Sequence, residues 1–221
     1  MYHMYQRAFI DFFEDELVAF GYEWKNLVAE YLFKGQEPLI SCLVAGLGHP
    51  LIHLAYAFEL SNSTIAIEGL AMTTTMYNGL HKYLDDPSYT QPSAHPTTSL
   101  IQILERVRTD DRLSPSQIAN SDTTDDIDNL VLDHEAVILE HWNSWTISDA
   151  RAQFKDSQRT AALLLVGTQP LPTSTREYSF FLVHLLTTSH AVRILLPLIP
   201  HEFHVPLLRQ WWLLALSTYI S

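Results

Sequence analysis

The chain has 221 residues, of which 47% are hydrophobic and 17% are charged, and its formal net charge is −12. This length and composition are typical of a globular protein with one large domain or two small ones. The excess of acidic residues argues against a nucleic-acid partner, because phosphate binding needs clustered lysine and arginine.

The chain has one cysteine, Cys42, so it can form no internal disulfide. A free thiol fits a reducing compartment, and we expect a cytoplasmic protein. Residues 1–17 are amphipathic and acidic, unlike a signal peptide. The last apolar run, residues 205–221, is interrupted by Arg209 and Gln210 and is too short to span a bilayer comfortably. We therefore expect a core helix there and no membrane partner.

Apolar residues recur at helical spacing along the first part of the chain. Gly21 and Gly35 follow two such stretches as C-cap signals, and Pro50 suits the first turn of a later helix. Helices are predicted over residues 4–20, 22–34, 38–46, 50–60 and 63–83.

The rest of the chain alternates between loops and helices. Residues 85–98 carry three prolines and residues 109–129 are acidic and polar, so we expect two exposed loops. Residues 168–175 mark a third break. Helices are predicted over residues 99–108, 130–166 and 176–196 and after Pro206. No strand alternation is convincing, so the predicted fold class is all-α, as a single multi-helix domain over residues 1–221.

The core of this domain should be formed by the apolar faces of the predicted helices. The residues predicted to be largely buried are Phe9, Phe13, Phe20, Leu51, Tyr56, Phe181, Leu185 and Trp211.

Two histidines stand out in the stretch AGLGHPLIHLAYAFEL, residues 45–60. His49 and His53 are four residues apart, which places both rings on one face of a helix. Two imidazoles at this spacing can bind one metal ion. They can equally be buried histidines that hydrogen-bond to backbone or carboxylate groups, and the spacing leaves both interpretations open.

A third candidate is His184, in the apolar stretch EYSFFLVHLLTTSHAVRILLP. His190 lies about 120° further round the same helix, so the two histidines are not expected to share a site. Glu59 and Glu68 could orient a metal-bound imidazole, as carboxylates commonly do, or they could be solvated helix ends. A lone buried histidine is also commonly structural.

Other histidines are interpreted as surface residues. HEAVILEH, residues 134–141, lacks the spacing of a zinc protease and should be a solvated face. His201 and His204 flank a turn between prolines and should be exposed. The chain has no GxGxxG, P-loop or GxSxG motif, which excludes the usual dinucleotide, phosphate-loop and serine-hydrolase sites.

Several segments together resemble the questin oxidase-like family of oxidoreductases. The similarity is most specific in the ordered pair HPLIH and FFLVH. The segments that carry it are YQRAFIDFFEDELVAFGYEWKNLVAEYL, AGLGHPLIHLAYAFEL, AIEGLA, SLIQILERVRTDDRL, FFLVHLLTTSHAVRILLPLIP and LLRQWWLLALSTYI.

This resemblance implies an all-helical oxidoreductase of secondary metabolism. Its substrates would be O₂ and a polycyclic aromatic polyketide such as an anthraquinone, with Baeyer–Villiger-type or ring-cleaving oxygenation. It also implies non-haem iron as the metal and NADPH as a reductant. The alternative is a non-catalytic helical remnant that binds an aromatic ligand or a protein partner.

Carried over residue by residue, the resemblance implies that His49, His53 and His184 bind the metal, and it matches His190 less firmly. Ser179 stands where the family usually has an aspartate. Family members are longer than this chain, so we expect a partial member that lacks N- and C-terminal segments.

Overall fold

The structure is a computed structural model that describes residues 3–118, 127–167 and 178–221. Helices account for 77% of it and no β-strand occurs in those ranges, so the predicted all-α fold is confirmed. An isolated bridge joins Thr97 to Trp145. The α-helices of these ranges are α1 (His3–Ala19), α2 (Trp24–Phe33), α3 (Ala45–Leu60), α4 (Ser63–Met76), α5 (Lys82–Asp85), α6 (Leu100–Arg108), α7 (Pro115–Ile118), α8 (Ile127–Asp133), α9 (Glu135–Trp142), α10 (Ala150–Gly167), α11 (Phe180–Leu195) and α12 (His204–Ile220).

Helix α3 is at the centre of the fold, where it packs chiefly against α4 and α11. Its Leu51 and Leu54 are fully buried. Burial of each such leucine stabilises the fold by about 1.5–3 kcal/mol. Because α3 lies between α4 and α11, its His49 meets a side chain from the second half of the chain, that of His184.

Helix α12 closes the core, and Trp211 and Trp212 are fully buried in it. Its Gln210 is buried too, and the amide joins α12 to the backbone that precedes α3. Gln210 Oε1 accepts a hydrogen bond from the Leu43 amide at 2.9 Å, and Nε2 donates to the Ile40 carbonyl at 2.6 Å. A buried amide with both ends paired fixes this segment in place. The prediction of a core helix for the last apolar run is confirmed, and none of the described helices is long and apolar enough to cross a membrane.

Several predicted helices differ in the structure, and the one expected over residues 38–46 is only a 3-10 turn (Leu39–Cys42). The helix expected over residues 63–83 ends at Met76, and a 3-10 turn (Gly79–His81) and α5 follow it. Asn78 causes this break, because its side chain accepts a hydrogen bond from the Leu80 amide at 3.0 Å instead of continuing the helix. The stretch predicted as helical over 130–166 is divided into α8, α9 and α10.

The two predicted loops differ in how much of each is described. Residues 86–98 are largely exposed around a 3-10 turn (Pro87–Tyr89). In the second loop, residues 119–126 lie outside the described residues, between α7 and the start of α8. The break predicted at 168–175 also lies outside the described residues.

The predicted core is confirmed for Phe13, Leu51, Leu185 and Trp211, each at most 2% exposed. Phe9, Phe20 and Phe181 are partly buried. Tyr56 was placed on the wrong face, since its side chain is 40% exposed. Its ring lies beside His190 at the polar edge between α3 and α11, with centroids 6.1 Å apart.

Candidate functional site

A left-handed turn precedes the regular part of α3. Gly46, Leu47 and Gly48 have φ values of 55°, 60° and 76°, a conformation that glycine adopts readily and leucine does not. The turn brings the backbone of Gly48 against Thr188 of α11. A strained backbone of this kind persists only where surrounding contacts hold it, and such turns concentrate at functional sites.

The turn places His49 against His184, the histidine of the second motif. Their ring centroids are 5.1 Å apart with an angle of 60° between the planes. His184 is 9% exposed, and the ring of Phe180 covers it at 4.5 Å. The structure therefore joins the two histidines that 135 positions separate in the sequence.

All three predicted metal ligands share one hydrogen-bond pattern. The Nδ1 atoms of His49, His53 and His184 lie 2.5, 3.0 and 2.7 Å from the carbonyl oxygens of Gly46, His49 and Phe180. A carbonyl can only accept, so each Nδ1 carries the proton. In the neutral ring the Nε2 atom then has a lone pair available to a metal ion, a proton or a ligand.

This donor chemistry fits a metal ion, but the number of grouped ligands does not complete a site. No set of three or more His, Cys, Asp or Glu side chains within the described ranges is arranged to hold a metal ion. The contact joins His49 with His184, while His53 follows one turn later on α3. The metal site predicted from these three histidines stays a prediction.

Three further residues, Glu59, Glu68 and His190, were candidates to support the site, and two of them are in contact. His190 Nε2 lies 3.0 Å from Glu59 Oε2, and Arg193 Nη2 lies 2.9 Å from His190 Nδ1. The arginine must donate, so Nδ1 accepts and the Nε2–H donates to Glu59. This chain joins α11 to α3 at a half-exposed edge, and it orients His190 rather than one of the three predicted ligands. Glu68 is partly buried in α4, and no contact among the described residues links it to a histidine.

Ser179 takes the position at which the family usually has an aspartate. Its Oγ accepts a hydrogen bond from the Leu182 amide at 3.4 Å and so caps α11. Serine and aspartate are both good N-cap residues. The helix that carries His184 therefore keeps its start despite the departure.

Gly46 also lines a cavity of about 410 Å³, which is large enough for a small organic ligand. Its walls come from the turn, the end of α4, the 3-10 turn after it, and α8. The lining residues are Gly46, Met76, Asn78, Gly79, Leu80, Asp128, Asn129 and Leu132.

Asp128 links the cavity wall to the histidine pair. Its Oδ2 accepts a hydrogen bond from Asn78 Nδ2 at 2.7 Å and a longer one from the Gly46 amide at 3.4 Å. The Gly46 carbonyl in turn accepts from His49 Nδ1. One residue of backbone thus separates the aspartate from the histidine. Asn78 and Asp128 were not among the residues predicted for the site, although the Asn78–Gly79 dipeptide is a recognised turn signal.

Cys42 lies beside this wall without being a reactive thiol. It is fully buried, and its Sγ contacts the Asn78 side-chain oxygen at 3.5 Å. Burial raises the pKa of the thiol to about 12, so it stays protonated at neutral pH. A thiolate nucleophile or metal ligand at this position is not supported.

Two histidines interpreted as surface residues are buried. His141 is 6% exposed and its Nε2 lies 2.9 Å from Asp110 Oδ2. His204 is 5% exposed and its Nε2 donates to the Ile199 carbonyl at 3.3 Å. The interpretation of HEAVILEH as a solvated face was wrong for His141, because Asp110 offers it a partner 31 positions away. His201 is exposed, as predicted.

The model of the questin oxidase-like family matches residues 2–221. A questin oxidase of Aspergillus terreus is 28% identical over 202 residues, which are 85% of this chain and 43% of that protein. The Baeyer–Villiger oxidase ptaJ of Pestalotiopsis fici is 31% identical over 110 residues, 48% of this chain and 24% of its own length. The Baeyer–Villiger oxidase notM of an Aspergillus species is 31% identical over 109 residues, 47% and 27% of the two chains. The matched part is less than half the length of each of these relatives.

Proposed function

The chain belongs to the questin oxidase-like family. From that premise we propose that it acts as an oxidoreductase that oxygenates a polycyclic aromatic polyketide. Baeyer–Villiger-type oxidation is the first form of this proposal, after the names of two relatives, and ring-cleaving oxygenation is the second.

One observation carries the proposal, namely the contact between His49 and His184. Each belongs to one of the two motifs that distinguish the family resemblance, HPLIH and FFLVH. The fold brings the two rings to 5.1 Å from each other, next to a strained turn.

The two forms of oxygenation differ in what they consume. A Baeyer–Villiger oxidation inserts one atom of O₂ between a carbonyl carbon and its neighbour, and the other atom leaves as water. This balance requires two electrons and two protons, and the proposed reductant is NADPH. Ring cleavage that incorporates both atoms of O₂ needs no external reductant, so NADPH consumption distinguishes them.

The roles proposed for this chain's residues follow from their hydrogen bonds. His49 and His184 would hold the proposed iron through Nε2, with His53 as the third predicted ligand, and the iron would supply the binding and activation of O₂. Their Nδ1–H bonds to Gly46 and Phe180 fix each ring. An imidazole held in this way can also accept a proton at Nε2.

The test is oxidation of questin, the compound in the name of the Aspergillus terreus relative. The purified chain would receive Fe(II), NADPH, questin and isotopically labelled O₂, and mass spectrometry would count the labelled atoms in the product. One labelled atom per product with NADPH consumed supports the Baeyer–Villiger form, and two without NADPH support ring cleavage.

Two variants separate the histidine pair from general damage to the protein. His184→Gln should abolish the product, whereas His95→Ala, at an exposed position, should not. Questin that binds without any product would refute the enzyme and leave the alternative, a non-catalytic helical protein that binds an aromatic ligand.

A further inference from the structure

Two helices on opposite sides of the fold carry exposed faces of opposite charge. Helix α1 packs chiefly against α4, and α10 packs chiefly against α11. Since α3 lies between α4 and α11, α1 and α10 are the outermost members of the series α1, α4, α3, α11 and α10. Each of the two therefore turns an outer face to solvent.

The outer face of α1 is acidic and ends in apolar side chains. Asp11, Glu14 and Asp15 are exposed along it. Val18 and Tyr22 follow near the end of the helix, and they are 57% and 69% exposed. We call this surface the acidic face.

The outer face of α10 has the same arrangement with the opposite charge. Arg151, Lys155 and Arg159 are exposed one turn apart, although the chain as a whole has a net charge of −12. Leu163 and Val166 follow, and they are 56% and 66% exposed. We call this surface the basic face.

The two faces match in order and in spacing. In each helix two charges four residues apart precede two exposed apolar residues, and the second apolar residue comes seven positions after the second charge. The residues that match are Asp11, Asp15, Val18 and Tyr22 in α1 and Lys155, Arg159, Leu163 and Val166 in α10. The helices have 17 and 18 residues, so they can pack side by side in parallel over about 25 Å.

We propose that this chain associates head to tail with further copies of itself, the acidic face of one copy lying on the basic face of the next. In the parallel register acid meets base and apolar meets apolar. Complementary charges select the partner and the orientation, and burial of the apolar ends favours association. Because the two faces belong to different helices, the contact is heterologous and builds a ring or an open chain of copies.

Each face also carries a charge of the other sign. Arg7 lies 2.7 Å from Asp11, and Asp156 lies 3.1 Å from Arg159. Exposed pairs within a helix contribute little, so they compete weakly with a partner. In the proposed register Arg7 approaches Arg151 of the next copy, and this repulsion limits the affinity.

A bilayer that contains anionic lipid is another surface to which a basic and apolar helix face can bind. The net charge of −12 opposes that binding, and a bilayer offers no partner to the acidic face of α1. A second copy of the chain satisfies both faces at once, so the observations favour self-association.

Sedimentation velocity of the purified chain over a wide range of protein concentrations tests the proposal. The average mass should rise with concentration at low ionic strength. The apparent Kd should increase about tenfold or more at high ionic strength, because salt screens the charges of exposed groups. No oxidation is measured, so the result is independent of the proposed function.

Two double variants reverse one face each. Lys155→Glu with Arg159→Glu makes the basic face acidic, and Asp11→Lys with Asp15→Lys makes the acidic face basic. Each variant alone should remain monomeric, because its two faces then carry charges of one sign. An equimolar mixture of the two should associate again, since each variant supplies the face that the other has lost.

Two further variants serve as controls. Lys25→Glu with Arg108→Glu makes the same change in net charge at exposed positions of α2 and α6, and it should associate as the unsubstituted chain does. Arg7→Glu should lower the apparent Kd, because it removes the repulsion with Arg151 of the next copy. Circular dichroism checks that every variant is folded.

The outcomes decide between the possible partners. A monomer at every concentration would overturn the proposal, and so would a mixture that stays monomeric while the unsubstituted chain associates. Association that survives both reversals would assign the contact to another surface. Binding of a monomeric chain to phosphatidylserine vesicles, lost in Lys155→Glu with Arg159→Glu, would assign the basic face to a bilayer. If the double variants fail to fold, the change in Kd of Arg7→Glu decides.

Discussion

Gly48 and Thr188 touch so closely that a side chain at Gly48 has no room. A Cβ atom built there would lie 2.5 Å from Thr188 Cγ2, and the φ of Gly48 is +76°. Thr188 is itself fixed, since its hydroxyl donates to the His184 carbonyl at 2.6 Å. The same contact that joins α3 to α11 therefore also aligns the backbones next to His49 and His184.

Gly48→Ala should destabilise the protein by about 2–4 kcal/mol. The methyl group adds strain in a left-handed conformation, of order 1–3 kcal/mol, and the overlap with Thr188 adds a cost of similar size. Urea unfolding at neutral pH measures the difference. Gly167→Ala is the matched control, because no atom lies within 4 Å of its Cβ position and alanine favours helix. A loss below 1 kcal/mol in Gly48→Ala would mean that the helices separate easily.

The helices were predictable because local patterns determine them. Apolar residues at helical spacing bury one face of each helix. Gly21 and Gly35, with φ of 62° and 99°, end their helices at the positions predicted as C-caps. The helix predicted to reach Tyr83 was overextended because the Asn78–Gly79 turn signal was not used, and Asn78 accepts a hydrogen bond from the Leu80 amide there. The bond from Asn78 to Asp128, 50 positions away, could not be predicted from a local pattern.

Only those site residues could be predicted that the family resemblance implied. The prediction grouped His49, His53 and His184, and the structure brings the rings of His49 and His184 together beside the packing of Gly48 against Thr188. His141 illustrates the limit in the other direction. The sequence pattern predicts a polar residue to lie on the surface unless a partner distant in the sequence is known. For His141 that partner is Asp110.

Iron binding should depend on the predicted ligands. After anaerobic reconstitution with Fe(II), His49→Ala, His53→Ala and His184→Ala should each lose most of the iron that the unsubstituted protein retains, because each removes an Nε2 lone pair. Metal analysis of the purified proteins measures this. His141→Ala is unsuitable as a control, since His141 is buried and bonded to Asp110, and the exposed His95→Ala replaces it.

The pattern across these three variants is informative. Loss in His49→Ala and His184→Ala but not in His53→Ala would limit the site to the pair that the structure joins. Iron content in folded His184→Ala equal to that of the unsubstituted protein would show that these histidines are structural groups of a helical core.

Acid should destabilise the protein through Asp110. Arg112 bonds to both of its oxygens, at 2.9 and 2.6 Å, and His141 bonds to Oδ2. These contacts, Arg112 first, hold the pKa of the carboxyl below its usual value near 3.9. A carboxyl with a lowered folded pKa stabilises the fold above the unfolded pKa, and this contribution disappears as the pH falls towards the folded pKa.

Asp110→Asn should therefore be less stable than the unsubstituted protein by about 1.5–3 kcal/mol at pH 7. The difference should shrink as the pH falls from about 5 to 2, where the aspartate loses its charge. Asparagine still caps the 3-10 turn that follows, so the cap is not lost. Urea midpoints at several pH values measure the effect, and the exposed Asp111→Asn should change them little. A pH-independent difference would mean that charge at Asp110 contributes nothing.

Arg209 is a cation placed mainly by packing. Its Cζ lies 3.6 Å from the centroid of the Trp142 ring, and Nη2 donates to Asn143 Oδ1 at 2.8 Å. The Nε atom is buried with no hydrogen-bond partner in the part of the chain that the structure describes. Burial lowers the pKa of the guanidinium to about 10, which shows that the charge itself is disfavoured there.

Arg209→Met should consequently leave the stability within about 1 kcal/mol of that of the unsubstituted protein, or raise it, because methionine keeps apolar contact with Trp142 and removes a partly buried charge. Arg209→Ala should cost about 2 kcal/mol or more, since it also removes the packing. Arg159→Met, at an exposed ion pair with Asp156, should change stability by less than about 0.5 kcal/mol. Urea unfolding of the three variants compares them directly. If Arg209→Met costs as much as Arg209→Ala, the hydrogen bond to Asn143 and the cation–π contact with Trp142 outweigh the cost of burying the charge.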